Sequence, residues 1–123
     1  MDALPLLLLL AASAAPPPAA DGARAFQRCY ACHSVDPKEQ DLPGPNLSGV
    51  VGRRAGALQG FAYSPAMREA GARGLIWTPE TLDRFLADPE AVVPGTEMFI
   101  PAMRKPADRA AVIEYLKAAS GGR

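Results

Sequence analysis

Cys29-Tyr30-Ala31-Cys32-His33 holds both cysteines and the only histidine of a 123-residue chain. The C-x-x-C-H spacing suits covalent attachment of a haem. Two thiols one helical turn apart reach the two vinyl groups on one edge of a porphyrin. The histidine that follows is placed to ligate the iron from the same side. Other uses of the pair fit less well. A thioredoxin-like redox pair needs a βαβ setting, and no alternating pattern of useful length marks a strand here. A Cys29–Cys32 disulfide would close a loop too small to constrain a fold. Zinc asks for four ligands, and Cys29, Cys32 and His33 are all the Cys and His available.

Outward from this run the chain reads as short helices separated by long loops. Gly22 to Cys32 has no breaker and predicts a helix with Phe26 and Tyr30 on one face. From Ser34 to Gly60 prolines and glycines recur and no apolar period survives, so a long loop is expected. A loop of that length in a compact domain usually covers something functional. Ser64-Pro65 is an N-cap followed by proline at the first helical position, and predicts a helix to about Gly71. Thr78-Pro79-Glu80 repeats the signal, and the helix it starts carries Leu82, Phe85 and Leu86 on one stripe before Pro89 stops it. Glu90 to Lys105 is another loop. The last helix begins at Pro106, shows Val112, Tyr115, Leu116 and Ala119 at helical spacing, and is capped by Gly121. The fold class is all-α, and four short helices make a thin core. A small domain of this kind needs a disulfide, a metal or a cofactor to hold it.

Composition narrows the function. Thirteen basic residues balance 13 acidic ones, which speaks against a nucleic-acid-binding surface. With 49% hydrophobic and 21% charged residues the chain is not disordered by composition. Residues 1–20 read as a leader and 21–123 as the functional domain. The apolar run Leu4 to Ala12 is followed by small residues, with Ala12-Ser13-Ala14 as a cleavage site and Pro18-Ala19-Ala20 as a later one. No Lys or Arg precedes the run, which departs from the usual signal pattern. Export to a periplasm is the expectation; a retained leader, with Pro16-Pro17-Pro18 as a stiff spacer, would give a membrane-anchored form instead. Loss of residues 1–20 removes Asp2 and no base, leaving 13 bases against 12 acids.

A six-coordinate haem iron needs a second axial ligand, and the one histidine is already used. Methionine sulfur is the usual alternative. Met67 lies on a predicted helix, where packing is its ordinary role. Met98 follows Pro94-Gly95-Thr96-Glu97, a turn able to fix a loop residue over a flat ligand. Met103 stands in the same loop, five residues on, and spacing alone does not separate the two.

With these motifs in order, the chain resembles the class I cytochromes c, of the mitochondrial and bacterial cytochrome c2 type, over about residues 22 to 119. Cys29-Tyr30-Ala31-Cys32-His33 matches the haem attachment motif of that family. Gly44-Pro45-Asn46-Leu47 matches the proximal loop, which implies that the Pro45 carbonyl accepts the proton of the second ring nitrogen of His33. Gly52-Arg53 matches the pair whose arginine approaches a haem propionate. Gly60 to Ser64 and Trp77 match the tyrosine and tryptophan that hydrogen-bond propionates, which implies that role for Tyr63 and Trp77. Pro94-Gly95-Thr96-Glu97-Met98 matches the segment carrying the distal methionine, so the resemblance implies Met98 as ligand and Thr96 beside it. Glu114 to Lys117 matches the C-terminal helix that crosses the N-terminal one near Gly22 and Phe26.

The departures from the family are local. Phe85 stands where the family often has a tyrosine, and Met67 where it often has an asparagine, so the distal pocket is expected to be less polar and to favour the reduced iron. Ala70 to Gly74 reads as a small insertion. The lysines that ring the haem edge in mitochondrial relatives are mostly absent; Lys38, Lys105 and Lys117 remain, with Arg28 and Arg104 as rim charges. The resemblance implies a monomeric electron carrier with one haem c, His33 and Met98 as metal ligands, and no catalytic residues. Its expected partners are redox proteins, such as a bc1-type complex as donor and a terminal oxidase or reductase as acceptor, and no nucleic acid. Two other classes stay open on the residues alone. One is a haem enzyme or gas-binding protein with a labile sixth site; the other is a haem-free interaction module.

Overall fold

The computed structural model describes residues 19–121. The leader expected over residues 1–20 lies outside them, except for its last two residues, which open the first helix. Five α-helical segments and one 3-10 turn follow in order: α1 (Ala19–Phe26), the 3-10 turn Gln27–Cys29, α2 (Pro65–Ala72), α3 (Pro79–Ala87), α4 (Pro89–Val92) and α5 (Pro106–Ala118). The extended backbone contributes one isolated bridge, between Arg54 and Ile76.

The first and last helices cross, and the crossing depends on Gly22. A Cβ there would lie 2.9 Å from Tyr115 Cβ and 3.0 Å from the Ala111 carbonyl oxygen, so only glycine lets the two backbones approach this closely. Phe26 fills the angle between the helices and is fully buried. Its ring meets Tyr30 edge-on at 4.9 Å and stacks on Tyr115 at 5.1 Å. Burying a side chain of this size contributes roughly 1.5–3 kcal/mol.

The helix expected over Gly22 to Cys32 ends earlier than its sequence suggests. After Phe26 the chain tightens to 3-10 geometry, and the bonds from Cys32 N–H (3.1 Å) and His33 N–H (2.9 Å) to the Cys29 carbonyl carry the turn through to the histidine. The helix therefore gives way to a tight turn across the two cysteines. The other starts fall where expected. Ser64 accepts from Met67 N–H at 3.2 Å, and Pro65 occupies the first turn of α2. Thr78 and Thr81 bond reciprocally at the start of α3. Pro89 stops α3, as its position predicts, and also starts the single turn α4, which Asp88 caps by accepting from Ala91 N–H. That turn was not evident in the sequence, because the following Glu90 to Lys105 is otherwise irregular.

The long loop after His33 is ordered by backbone bonds to distant elements. Leu47 N–H donates to the Ser34 carbonyl at 2.8 Å, Gly49 N–H to Ala119 at 3.3 Å and Ala55 N–H to Leu75 at 2.9 Å. Gly71 of α2 rests directly on Ala55, where any Cβ would overlap the carbonyl oxygen. The core gathers Phe26, Trp77, Phe85, Val93, Met103 and Val112 between α1, α3 and α5. Arg109 of α5 closes the far side: its Nε pairs with Asp83 at 2.7 Å, and its Nη1 donates to the Met103 carbonyl at 2.7 Å. Among the described residues no helix is long and apolar enough to cross a membrane.

Candidate cofactor site

Cys29 ends the 3-10 turn half-buried and Cys32 follows exposed in the turn after it, both as free thiols. Burial pushes the Cys29 thiol pKa up; the Arg28 charge opposes this and Cys32 adds to it. His33 follows, half-buried, with its Nδ1 2.7 Å from the Pro45 carbonyl oxygen. A carbonyl only accepts, so Nδ1 carries the proton and Nε2 keeps the free lone pair. Burial pulls the His33 pKa down, and the bond to Pro45 pulls the other way. The net lowering keeps the ring neutral, as a metal ligand must be.

Gly44 makes this geometry possible. A Cβ at this position would stand 2.5 Å from His33 Cε1 and 2.8 Å from Nδ1. The glycine N–H also donates to the Cys32 carbonyl at 2.8 Å, which closes the loop back on the cysteine turn. Asn46, next along, braces the loop: its Nδ2 donates to the Asp36 and Glu39 carbonyls at 2.7 and 3.0 Å, and its Oδ1 accepts from Ser48 N–H. The sequence offered Asn46 as part of a motif, with nothing to say that its amide organises the preceding turn.

Arg53 stands beside the Tyr63 hydroxyl and is paired through its backbone with Trp77. The Arg53 guanidinium donates to the carbonyls of Asn46 (2.9 Å) and Ser48 (2.5 Å). Burial draws the Arg53 pKa down, against the opposing influence of the Tyr63 hydroxyl close by. The Tyr63 hydroxyl accepts from Leu58 N–H at 3.3 Å. The Trp77 backbone is paired with this strand-like stretch, donating to Arg53 at 2.9 Å and accepting from Gly52 at 2.7 Å. Its indole is buried and lies 4.9 Å from the Phe85 ring.

The three methionines left open by spacing sit in different surroundings. Met103 is 1% exposed and its N–H donates to the Leu86 carbonyl, so it is a core side chain. Met67 packs partly buried against the same core from α2. Met98 is half-buried at the edge of the core. Its N–H donates to Thr96 Oγ1 at 3.2 Å, and Thr96 is itself buried. An open cleft of about 480 Å³ lies between loops 37–42 and 58–61 and reaches Gly44, Asn46 and Ser48 beside the proximal loop. It is an annex of the proximal loop and does not hold the cysteines or Met98.

These residues fit a covalently held haem. The thiols are free to form thioethers, the imidazole is neutral with its outer nitrogen available, and the space a Cβ would take at Gly44 is given to the ring. No group of three or more His, Cys, Asp or Glu among the described residues offers a separate metal site.

Known proteins place this arrangement in context. The cytochrome c family model matches residues 19–120. The chain is similar to cytochrome c2 of Afifella marina, 43% identical over 98 residues, covering 80% of this chain and 79% of that protein. It is 47% identical over 98 residues to cytochrome c2 iso-2 of Magnetospirillum fulvum, covering 80% and 98%. Among solved structures it is similar to cytochrome c2 from Rhodospirillum centenum, with a TM-score of 0.77, 36% identity and coverage of 83% and 98%. Cytochrome cH from Methylobacterium extorquens gives a TM-score of 0.73 at 40% identity, covering 81% and 97%.

Proposed function

The chain belongs to the cytochrome c family, and from that premise we propose that His33 and Met98 ligate its haem iron and that it carries single electrons between redox proteins of a respiratory or photosynthetic chain. It holds one haem c, attached through Cys29 and Cys32, and is a monohaem electron carrier. When bound, the haem supplies a one-electron couple.

The chain's own residues hold that couple in place. His33 offers Nε2 because Pro45 holds the proton of Nδ1, and this single contact carries the ligand reading. Met98 offers a neutral sulfur on a backbone fixed by Thr96. Both ligands are uncharged, so the same pair suits either oxidation state and little rearrangement accompanies electron transfer. Arg53, Tyr63 and Trp77 are the residues expected to face the propionates, since Arg53 stands beside the Tyr63 hydroxyl and is paired through its backbone with Trp77. Phe85 and Met67 keep polar groups off the distal side.

Export to a periplasm, with residues 1–20 as leader, belongs to the same reading, as do a bc1-type complex as donor and a terminal oxidase or reductase as acceptor. Thirteen bases against 12 acids after residue 20, joined by two propionates, leave the holoprotein near −1. Steering toward charged partners is then weak. A spectroelectrochemical titration of the purified holoprotein tests the function. One reversible wave with one-electron slope is expected; no reversible wave, or a two-electron slope, contradicts it.

A further inference from the structure

The turn before Met98 is braced by a carboxylate from outside it. Val93 is fully buried and accepts from Thr96 N–H at 3.0 Å, with Pro94 and Gly95 between them. Proline second and glycine third is the type II pattern, and Gly95 has φ +83, where only glycine is unstrained. The turn's own bond uses Thr96 N–H, which leaves Gly95 N–H over. Glu90 Oε2 takes it at 2.9 Å. Glu90 lies in the first turn of α4, whose cap is Asp88, so the carboxylate stands on a fixed base. The opposite side of the turn faces α2, where a Cβ on Gly95 would sit 3.5 Å from Ala66 Cβ. From Glu90 the chain of bonds runs to Gly95 and through Thr96 to the N–H of Met98.

Resting on the assignment of Met98 as ligand, we propose that Glu90 is a positioning residue that holds the Pro94-Gly95-Thr96 turn so that Met98 keeps the sixth site against competing ligands. A hydrogen bond to an ionised acceptor is stronger than a neutral one. The Glu90 side chain is exposed, so its effect is modest in size and specific in place.

The test is a titration of ferric holoprotein with imidazole, read in the visible spectrum. Glu90→Ala should bind imidazole about three- to tenfold more tightly than the parent. Glu90→Gln keeps an accepting oxygen and should stay within about twofold of it. Glu80→Ala, which removes an exposed charge from α3, should match the parent. The proposal is overturned if Glu90→Ala matches the parent, if Glu80→Ala tightens binding as much, or if Glu90→Gln behaves like Glu90→Ala. Met98→Ala separates the two levels: an unchanged low-spin spectrum there sinks the ligand assignment itself, whereas a changed spectrum with an inert Glu90→Ala sinks only the role of Glu90.

Discussion

His33 Nδ1 and the Pro45 carbonyl oxygen are 2.7 Å apart, and the residue between their two loops that permits this is Gly44. Gly44→Ala would force its methyl into the imidazole. Overpacking of this kind costs about 1–3 kcal/mol. The variant holoprotein should lose stability of that order in denaturant unfolding, and should yield less haem-loaded protein than the parent. Equal yields and equal midpoints would mean that the imidazole is not held where the bond to Pro45 puts it.

The thin helical core implies that the cofactor organises the fold. Replacing both Cys29 and Cys32 by Ala should leave a largely unfolded chain that is degraded in the cell. Circular dichroism of the purified double variant is the check. Native-like helix content with a cooperative melt would show that the core stands without covalent haem.

Met98 and Met103 are five residues apart in one loop, and their substitutions should fail in different ways. Met103→Ala opens a cavity in the core and should cost about 2–5 kcal/mol while the low-spin spectrum persists. Met98→Ala should convert the iron to a high-spin or water-ligated form and lower the reduction potential. Visible spectra and unfolding curves of the two variants distinguish these outcomes. Loss of the sulfur-ligated spectrum in Met103→Leu alone would reverse the assignment.

Much of this was legible in the sequence, for identifiable reasons. The starts of α2, α3 and α5 were readable because Pro65, Pro79 and Pro106 have fixed φ and need no N–H in a first turn. The attachment run was readable because both cysteines and the sole histidine fall within five residues. The approach of α5 to α1 near Gly22 and Phe26 came from the family resemblance and is borne out by the close contact with Tyr115. What local pattern could not supply were features made by distant partners. The early end of α1 reflects the bonds from Cys32 and His33 back to Cys29. That Met103 is a core side chain shows only once Leu86 and the core are placed around it. The bond from Glu90 to Gly95 depends on a side chain reaching back across a single helical turn that periodicity does not mark.

The Tyr30 and Tyr115 hydroxyls are 2.8 Å apart, tying the attachment turn to α5. The bond to Tyr30, with burial adding, pushes the Tyr115 pKa from 10.0 up to about 12. The folded state thus holds this proton more tightly than the unfolded one. Its stabilising effect is complete below pH 10 and is lost as pH rises from 10 to 12. Tyr30→Phe should lose less stability across that interval than the parent, measured by denaturant unfolding at fixed pH values. An identical decline in both proteins would remove the pair from the account of alkaline unfolding.

A haem whose two axial sites are filled by His33 and Met98 has no vacancy for an external ligand, and this separates an electron carrier from a haem enzyme or gas-binding protein. The direct measurement is the visible spectrum of the reduced holoprotein at neutral pH before and after carbon monoxide is added. With Met98 in place the spectrum should not change, while Met98→Ala should bind the gas. Prompt formation of a carbon monoxide complex by the parent protein would contradict stable methionine ligation.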